Sequence, residues 1–427
     1  MFRRSISGRS DSRTIRRFTR IALTILATST LLTTQAWCAG SKVLYSFAGG
    51  SDGANPYSSL IFDSAGNLYG TTEKGGAYSE GTVYKLSQSN GVWTETILYS
   101  FGGVSGDGSQ PQGSLVFDKA GNLYGTTQYG GLYFNGTVYE LTPNGNGTWS
   151  EAVLHSFNCC ATPGDGGVPN SAIFLAPSGK IYGTTQWGGA GTTCGAWNFG
   201  CGTFFELAHE TSGWKETVLH SFLESPDASV PWGPLTVDKA GNFYNTSLWG
   251  GSQEYAGSVF KLSPASGGTW TESVIYTLDQ QTGVGISAEI DGVVFDSAGN
   301  LYGVGSGGVF ELTPSSSGWT ETTIFPFTST KGPYNPYASV VLVHNSTLWG
   351  TTAWGGGGTC STNGCGTLYR VQKINGVWTG NAVFTFHNQA NGWFPTSTPI
   401  VDSSGNVYGT TLNGGAFGFG VVYEVTP

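Results

Sequence analysis

The sequence is poor in several things at once. Charged side chains make up 11% of its 427 residues, and its one methionine is the initiator. Arginine is confined almost entirely to the start: seven lie within the first twenty residues, and after them only Arg370 remains. Apolar residues do not recur at helical spacing, and no apolar run downstream of the leader is long enough to span a bilayer. Each absence excludes something. A helical fold lacks its periodic apolar face. A nucleic-acid binder lacks its basic footprint: past residue 38, 11 basic side chains stand against 26 acidic ones, a net charge of −15. Nucleic acid and anionic membrane surfaces are therefore excluded as partners.

The first residues differ from the rest. Seven arginines, an apolar stretch from Ile21 and small residues around Ala36 read as the basic, apolar and cleavage regions of a signal peptide spanning residues 1–38. Trp37 is too bulky to precede a lipoprotein cysteine at Cys38. The expected location is secreted, periplasmic or cell-surface, with residues 39–427 as a single domain.

What the sequence does have is glycine, threonine, aromatic residues and a repeated phrase. "DSAGNLYGTTEKGG" at Asp63 returns as "DKAGNLYGTTQYGG" at Asp118. Its aromatic falls at Tyr69, Tyr124, Tyr182, Tyr244, Tyr302, Trp349 and Tyr408, with gaps of 55, 58, 62, 58, 47 and 59 residues. A period of this length marks a repeat architecture. Each repeat holds four short alternating segments; in the first they are Leu60–Asp63, Asn67–Thr72, Thr82–Leu86 and Trp93–Phe101. Four antiparallel strands in about 50 residues make a β-propeller blade, and seven copies predict a seven-bladed all-β propeller.

The chain ends support closure. The last repeat stops after its third segment, "VVYEVT", and "SKVLYSF" near the start matches the fourth-segment pattern "TILYSF". The N-terminal strand is expected to complete the last blade and so remove an open edge. The aspartates of the phrase (Asp63, Asp118, Asp238, Asp296, Asp402) are expected to cap the turn between the first two strands.

The recurring "GNLYGTT..GG....GTVYKL", followed by "W.E..LYSF", resembles the choice-of-anchor GloVer-type tandem-repeat proteins over the whole mature chain. The resemblance implies an exported bacterial repeat protein. It carries no catalytic or binding residue across, and the chain ends on "VYEVTP" without a recognisable anchor.

Function is expected on the face shared by the loops between strands two and three and the loops between blades. Tyr129, Trp187, Trp249 and Trp354 precede Gly-Gly in the first set; Tyr57, Trp232, Tyr337 and Trp393 lie in the second. Such rings suit stacking on sugars or clasping a peptide, or they pack against their own loops. The inter-blade loops also carry Asp52, Asp107, Asp165 and Asp227, whose carboxylates could gather calcium, although their spacing is that of ordinary turns. No metal site or cofactor is otherwise implied. His155 and His220 occupy the strand slot that holds Tyr99, and no catalytic motif is present. Cys194 with Cys201, and Cys360 with Cys365, sit in equivalent enlarged loops and are expected to form two local disulfides; the partner of Cys159 and Cys160 is open. The expectation is a monomeric binding module for an extracellular glycan or protein. The alternatives are a polysaccharide lyase or hydrolase assembled across blades, and a purely structural surface protein.

Overall fold

The computed structural model describes residues 40–159, 164–190, 194, 199–252, 257–278, 292–327, 332–387 and 389–427. The signal-peptide expectation for residues 1–38, and Cys160, lie outside these. Seven four-stranded antiparallel sheets form the seven blades of a β-propeller. The first blade runs Ile61–Phe62, Leu68–Thr72, Thr82–Ser89 and Val92–Ser100, counted outward from the axis. Its first strand is shorter than the sequence suggests, because only Ile61 and Phe62 pair with strand two.

Closure follows the expected register. Gly40–Ser46 pairs antiparallel with Val421–Thr426, with Val43 opposite Tyr423 and Ser46 opposite Val421. The last blade thus takes three strands from the end of the chain and one from its start. Phe47 then donates its N–H to the Gly420 carbonyl at 3.0 Å and is fully buried.

The repeated phrase has a physical reading at nearly every position. Asp63 Oδ1 accepts the N–H groups of Ala65 and Asn67, each at 2.9 Å, and Oδ2 accepts Asn67 Nδ2 at 2.7 Å and Tyr69 Oη at 3.1 Å. Asp238 and Asp402 repeat that set. Partial burial pushes these carboxyls up, but the hydrogen bonds outweigh it and hold Asp63, Asp238, Asp296 and Asp402 below the ordinary value. Gly70 leaves room for the buried aromatic of strand three: a Cβ there would lie 2.6 Å from Tyr84 Oη. Of the paired threonines, Thr71 donates to the Pro111 carbonyl of the next blade at 3.1 Å. Thr72 donates to the Lys74 carbonyl and shares a bond with Thr82 Oγ1, both at 2.8 Å, which pins the loop between strands two and three.

Blades meet through aromatic edges. The phenylalanine just after strand four, in "SF" or "TF", packs edge-on against the strand-three aromatic of the following blade: Phe47 on Tyr84, Phe101 on Tyr139 and Phe386 on Tyr423, with centroids 5.0–5.1 Å apart. Strand four carries a bulge just before, where one residue (Leu98 in blade one) has no opposite number. The bulge recurs in all seven blades. It re-aims the next side chain, a tyrosine or histidine in five of them, toward the inter-blade loop.

Blade five is the spare version. Its second and third strands, Leu301–Gly305 and Gly308–Ser315, join directly, so it has no extended loop on the face where the other blades carry one.

Candidate functional site

Two loop systems share one face of the ring, and they are bonded to each other. Short two-residue ladders join the inter-blade loop to the loop between strands two and three: Gly53–Ala54 with Lys74–Gly75, Gly108–Ser109 with Tyr129–Gly130, and Gly166–Gly167 with Trp187–Gly188. Six of the inter-blade loops then make an X-Pro step whose first residue sits at positive φ: Asn55 (57°), Gln110 (54°), Val168 (57°), Val230 (55°), Asn335 (54°) and Phe394 (63°). Four of these six are not asparagine, so the conformation carries strain of about 1–3 kcal/mol at each, held by the surrounding bonds. Gln110 shows them: its N–H donates to Glu80 of the preceding blade at 2.8 Å, and its carbonyl accepts from Gln128 of its own blade at 3.1 Å. The proline that follows fits against a glycine of the preceding blade. At Gly81 (φ +100°) a Cβ would lie 2.5 Å from Pro111 Cδ, so the "GT" opening strand three has to begin with glycine.

The residue after each proline is thereby delivered to the axis. Tyr57, Gln112, Asn170, Trp232, Tyr337 and Thr396 occupy this position in six blades, and all six line a cavity of about 290 Å³ on the propeller axis. Below them the wall is built of hydroxyls and small residues, including Ser58, Ser114, Ser171, Ser339 and Ser397. Several of these already serve the frame: Ser58 Oγ accepts the Thr71 N–H at 3.0 Å, and Ser339 Oγ donates to the Gly292 carbonyl at 3.3 Å. Among the described lining residues there is no carboxylate, imidazole, ammonium or guanidinium group. The described wall presents three half-buried aromatic rings, two carboxamides and serine and threonine hydroxyls, together with an apolar part made by Val293, Val294, Val340, Val341 and Ile400, and none of these side chains is charged.

The aromatics singled out from sequence therefore divide. Tyr57, Trp232 and Tyr337 converge on the axis. Tyr129, Trp187, Trp249 and Trp354 do not reach it; each is half-buried on the loop that bears it. Trp187 stacks on Phe199 at 5.2 Å, and Trp249 packs against the blade-four core around Val230 and Phe243. Trp354 lies edge-on to Phe394 at 4.7 Å and beside Trp393 at 6.4 Å. Trp393 comes two residues before its proline rather than one after, which is why it joins that cluster instead of the cavity wall.

The inter-blade aspartates are loop anchors. Asp107 Oδ2 accepts Tyr99 Oη at 3.0 Å and the Gly102 N–H at 2.8 Å, while Oδ1 accepts the Gly108 N–H at 2.7 Å. Asp52 makes the same set with Tyr45, Ala48 and Gly53. In the next two seams histidine replaces tyrosine: His155 Nε2 lies 3.5 Å from Asp165 Oδ1, and His220 Nε2 lies 3.5 Å from Asp227 Oδ2. A glutamate from the outer strand of the following blade completes each group. Burial first, and the adjacent aspartate second, push Glu95, Glu151 and Glu216 up to about 7. Glu272, which also hydrogen-bonds Asp227, is pushed up to about 9. Burial alone would raise Asp227 as well, but His220 and Glu272 bring it below its ordinary value, so that pair holds one proton between them.

The Cys360–Cys365 disulfide is formed, with an S–S distance of 2.08 Å. Cys194 and Cys201 are brought together in the equivalent loop of blade three, both buried, but as hydrogen-bonded thiols and not as the second disulfide expected from the sequence. Hydrogen bonding to Cys194, followed by burial, pushes the Cys201 thiol up.

These features define a seven-bladed propeller with a closed ring, an axial cavity and braced loops. Residues 30–194 and 190–356 match the Gloeobacter/Verrucomicrobia repeat, and the chain belongs to that repeat family. No curated protein matches the sequence. Among solved structures, a streptogramin B lyase is similar at 15% identity and a TM-score of 0.52, with 92% of this chain and 99% of that one covered. The extracellular domain of a proposed one-component system from B. thetaiotaomicron is similar at 14% identity and a TM-score of 0.54, over 90% of this chain; the match spans only 42% of that longer chain. YCF48 from Cyanidioschyzon merolae is similar at 14% identity and a TM-score of 0.50, over 91% of this chain and 99% of that one. At such identities the likeness is one of fold. No helix of the described residues is long and apolar enough to cross a membrane.

Proposed function

We propose that the chain is an exported binding module that takes the end of a neutral glycan into its axial cavity. The observation that carries this reading is the cavity wall itself: Tyr57, Trp232 and Tyr337 on a rim whose described side chains carry no charge, with serine and threonine hydroxyls alongside. Aromatic faces stack on the C–H faces of sugar rings, while carboxamides and hydroxyls exchange hydrogen bonds with sugar hydroxyls. A charged ligand would find no counter-ion among the described lining residues. The Cys360–Cys365 bridge fits an oxidising compartment outside the cytoplasm.

Glycan cleavage at this cavity is the weaker reading. Hydrolysis and elimination both need a positioned acid or base, and tyrosine is the only titratable side chain on the described wall. Calorimetric titration with neutral oligosaccharides tests the binding proposal. Trp232→Ala and Tyr337→Ala are expected to weaken binding by about tenfold or more, since a buried aromatic anchor contributes on the order of 2 kcal/mol. Product formation in the same samples, or affinity untouched by both variants, would overturn it.

A further inference from the structure

Four seams between blades repeat one arrangement: a strand-four tyrosine or histidine, a loop aspartate, and a glutamate from the following blade. In the seam between blades two and three the residues are His155, Asp165 and Glu216, and their ligand atoms all lie within 4.8 Å of one another. We propose that this trio binds a divalent cation of the zinc class, which staples blade three to blade two.

Geometry and chemistry both point there. Zinc holds nitrogen and carboxylate oxygen at about 2.0–2.2 Å, which sets tetrahedral ligands about 3.4 Å apart. The His155–Asp165 separation of 3.5 Å already has that value. Glu216 has only to close a remaining gap, and its Oε1 is buried with no hydrogen-bond partner. The supporting bonds that orient a ligand are in place, since Asp165 accepts the Asn158 N–H at 2.8 Å and the Gly166 N–H at 2.7 Å. The His155 ring is held edge-on to Phe157 at 4.7 Å. An ion can reach the trio from solvent: His155 and Asp165 line an open cavity of about 620 Å³ on the rim of blade two. One imidazole with two carboxylates suits a borderline cation, with water completing the shell, whereas calcium takes six to eight oxygens and magnesium keeps most of its waters.

The other seams show why the assignment is local. At Asp107 the tyrosine hydroxyl donates a proton to the carboxylate, so that position is a hydrogen-bond donor and not a neutral nitrogen ligand. At His220 the two carboxylates, Asp227 and Glu272, are bonded to each other.

The test uses untagged mature protein, dialysed against chelator and titrated with ZnCl2, with metal content measured after re-dialysis. One equivalent is expected to bind and to raise the unfolding temperature. Glu216→Gln keeps the shape and removes the charge; His155→Tyr installs the side chain that serves the Tyr99 seam and is expected to fold. Each should weaken zinc binding by at least about tenfold, the smallest loss found even for outer-shell changes. His220→Tyr should leave it unchanged. Failure of the unaltered protein to take up zinc, or full uptake by both His155→Tyr and Glu216→Gln, as binding at cysteine thiols would give, overturns the assignment. Calcium binding that survives His155→Tyr does the same.

Discussion

The axial cavity and the blade seams are made from the same repeat, yet they use it in opposite ways. At the seams the kit is nearly constant, a buried phenylalanine edge-on to the next blade and a bulge, and four seams add an aspartate anchored by backbone N–H groups. At the axis the position after the proline is Tyr57, Gln112, Asn170, Trp232, Tyr337 and Thr396, six residues with five different side chains on an identical backbone. The packing problem is the same at every seam, so the same residues solve it. Nothing in the packing dictates what faces the axis, and that freedom is what a recognition surface needs. The seams are rich in acids, whereas the described cavity wall has none.

If this division is right, frame substitutions change stability and leave ligand affinity alone. The largest effect is expected at Phe47, fully buried where the ring closes. Phe47→Ala should destabilise by about 3–5 kcal/mol in denaturant unfolding, as for other buried phenylalanines. Gly70→Ala comes next: the added Cβ would meet Tyr84 Oη at 2.6 Å, and overpacking of this kind destabilises by about 1–3 kcal/mol. A loss of glycan affinity in either folded variant would blur the comparison.

The seam acids supply a pH signature. The raised glutamates bind protons in the native state that the unfolded chain has already released. Their contribution is therefore complete below their ordinary value of 4.5, and is lost as pH rises to about 7, continuing to about 9 for Glu272. The turn aspartates act at the other end, where their stabilisation is lost as pH falls through values depressed below 3.8. Metal-free protein should thus melt at progressively lower temperature from about pH 5 to pH 8. Glutamine at positions 95, 151, 216 and 272 should flatten that slope, and an unchanged slope would remove the seams as its source. The smallest effect is expected at Tyr369. Its buried hydroxyl has no partner, and Phe205, Phe260 and Phe310 stand at the equivalent position in three blades. Tyr369→Phe should be neutral or stabilising by up to about 1 kcal/mol.

Much of this frame was legible in the sequence, because a blade must solve its packing within its own 50-odd residues. The phrase, the capping aspartates and the match between "SKVLYSF" and "TILYSF" are all local signals. The site was legible only in part. In sequence Tyr57, Trp232 and Tyr337 look like Tyr129, Trp187, Trp249 and Trp354, because both sets flank loops on one face; the X-Pro step at positive φ, which separates them, leaves no mark beyond the proline itself. His155 is a strand residue as expected, but the bulge before it turns its ring onto Asp165. Glu216 belongs to the next repeat, so the trio has no local spacing to find.

Recognition is expected at the axis and not at the outer loops. The direct measurement is a pair of titrations with one neutral oligosaccharide that binds the unaltered protein, using Trp232→Ala and Trp187→Ala. Trp232 lines the cavity, and Trp187 stacks on Phe199 away from it. Affinity is expected to fall about tenfold or more for Trp232→Ala and to stay within about twofold for Trp187→Ala. Loss of binding in Trp187→Ala with Trp232→Ala unaffected would move recognition to the rim and contradict the axial site.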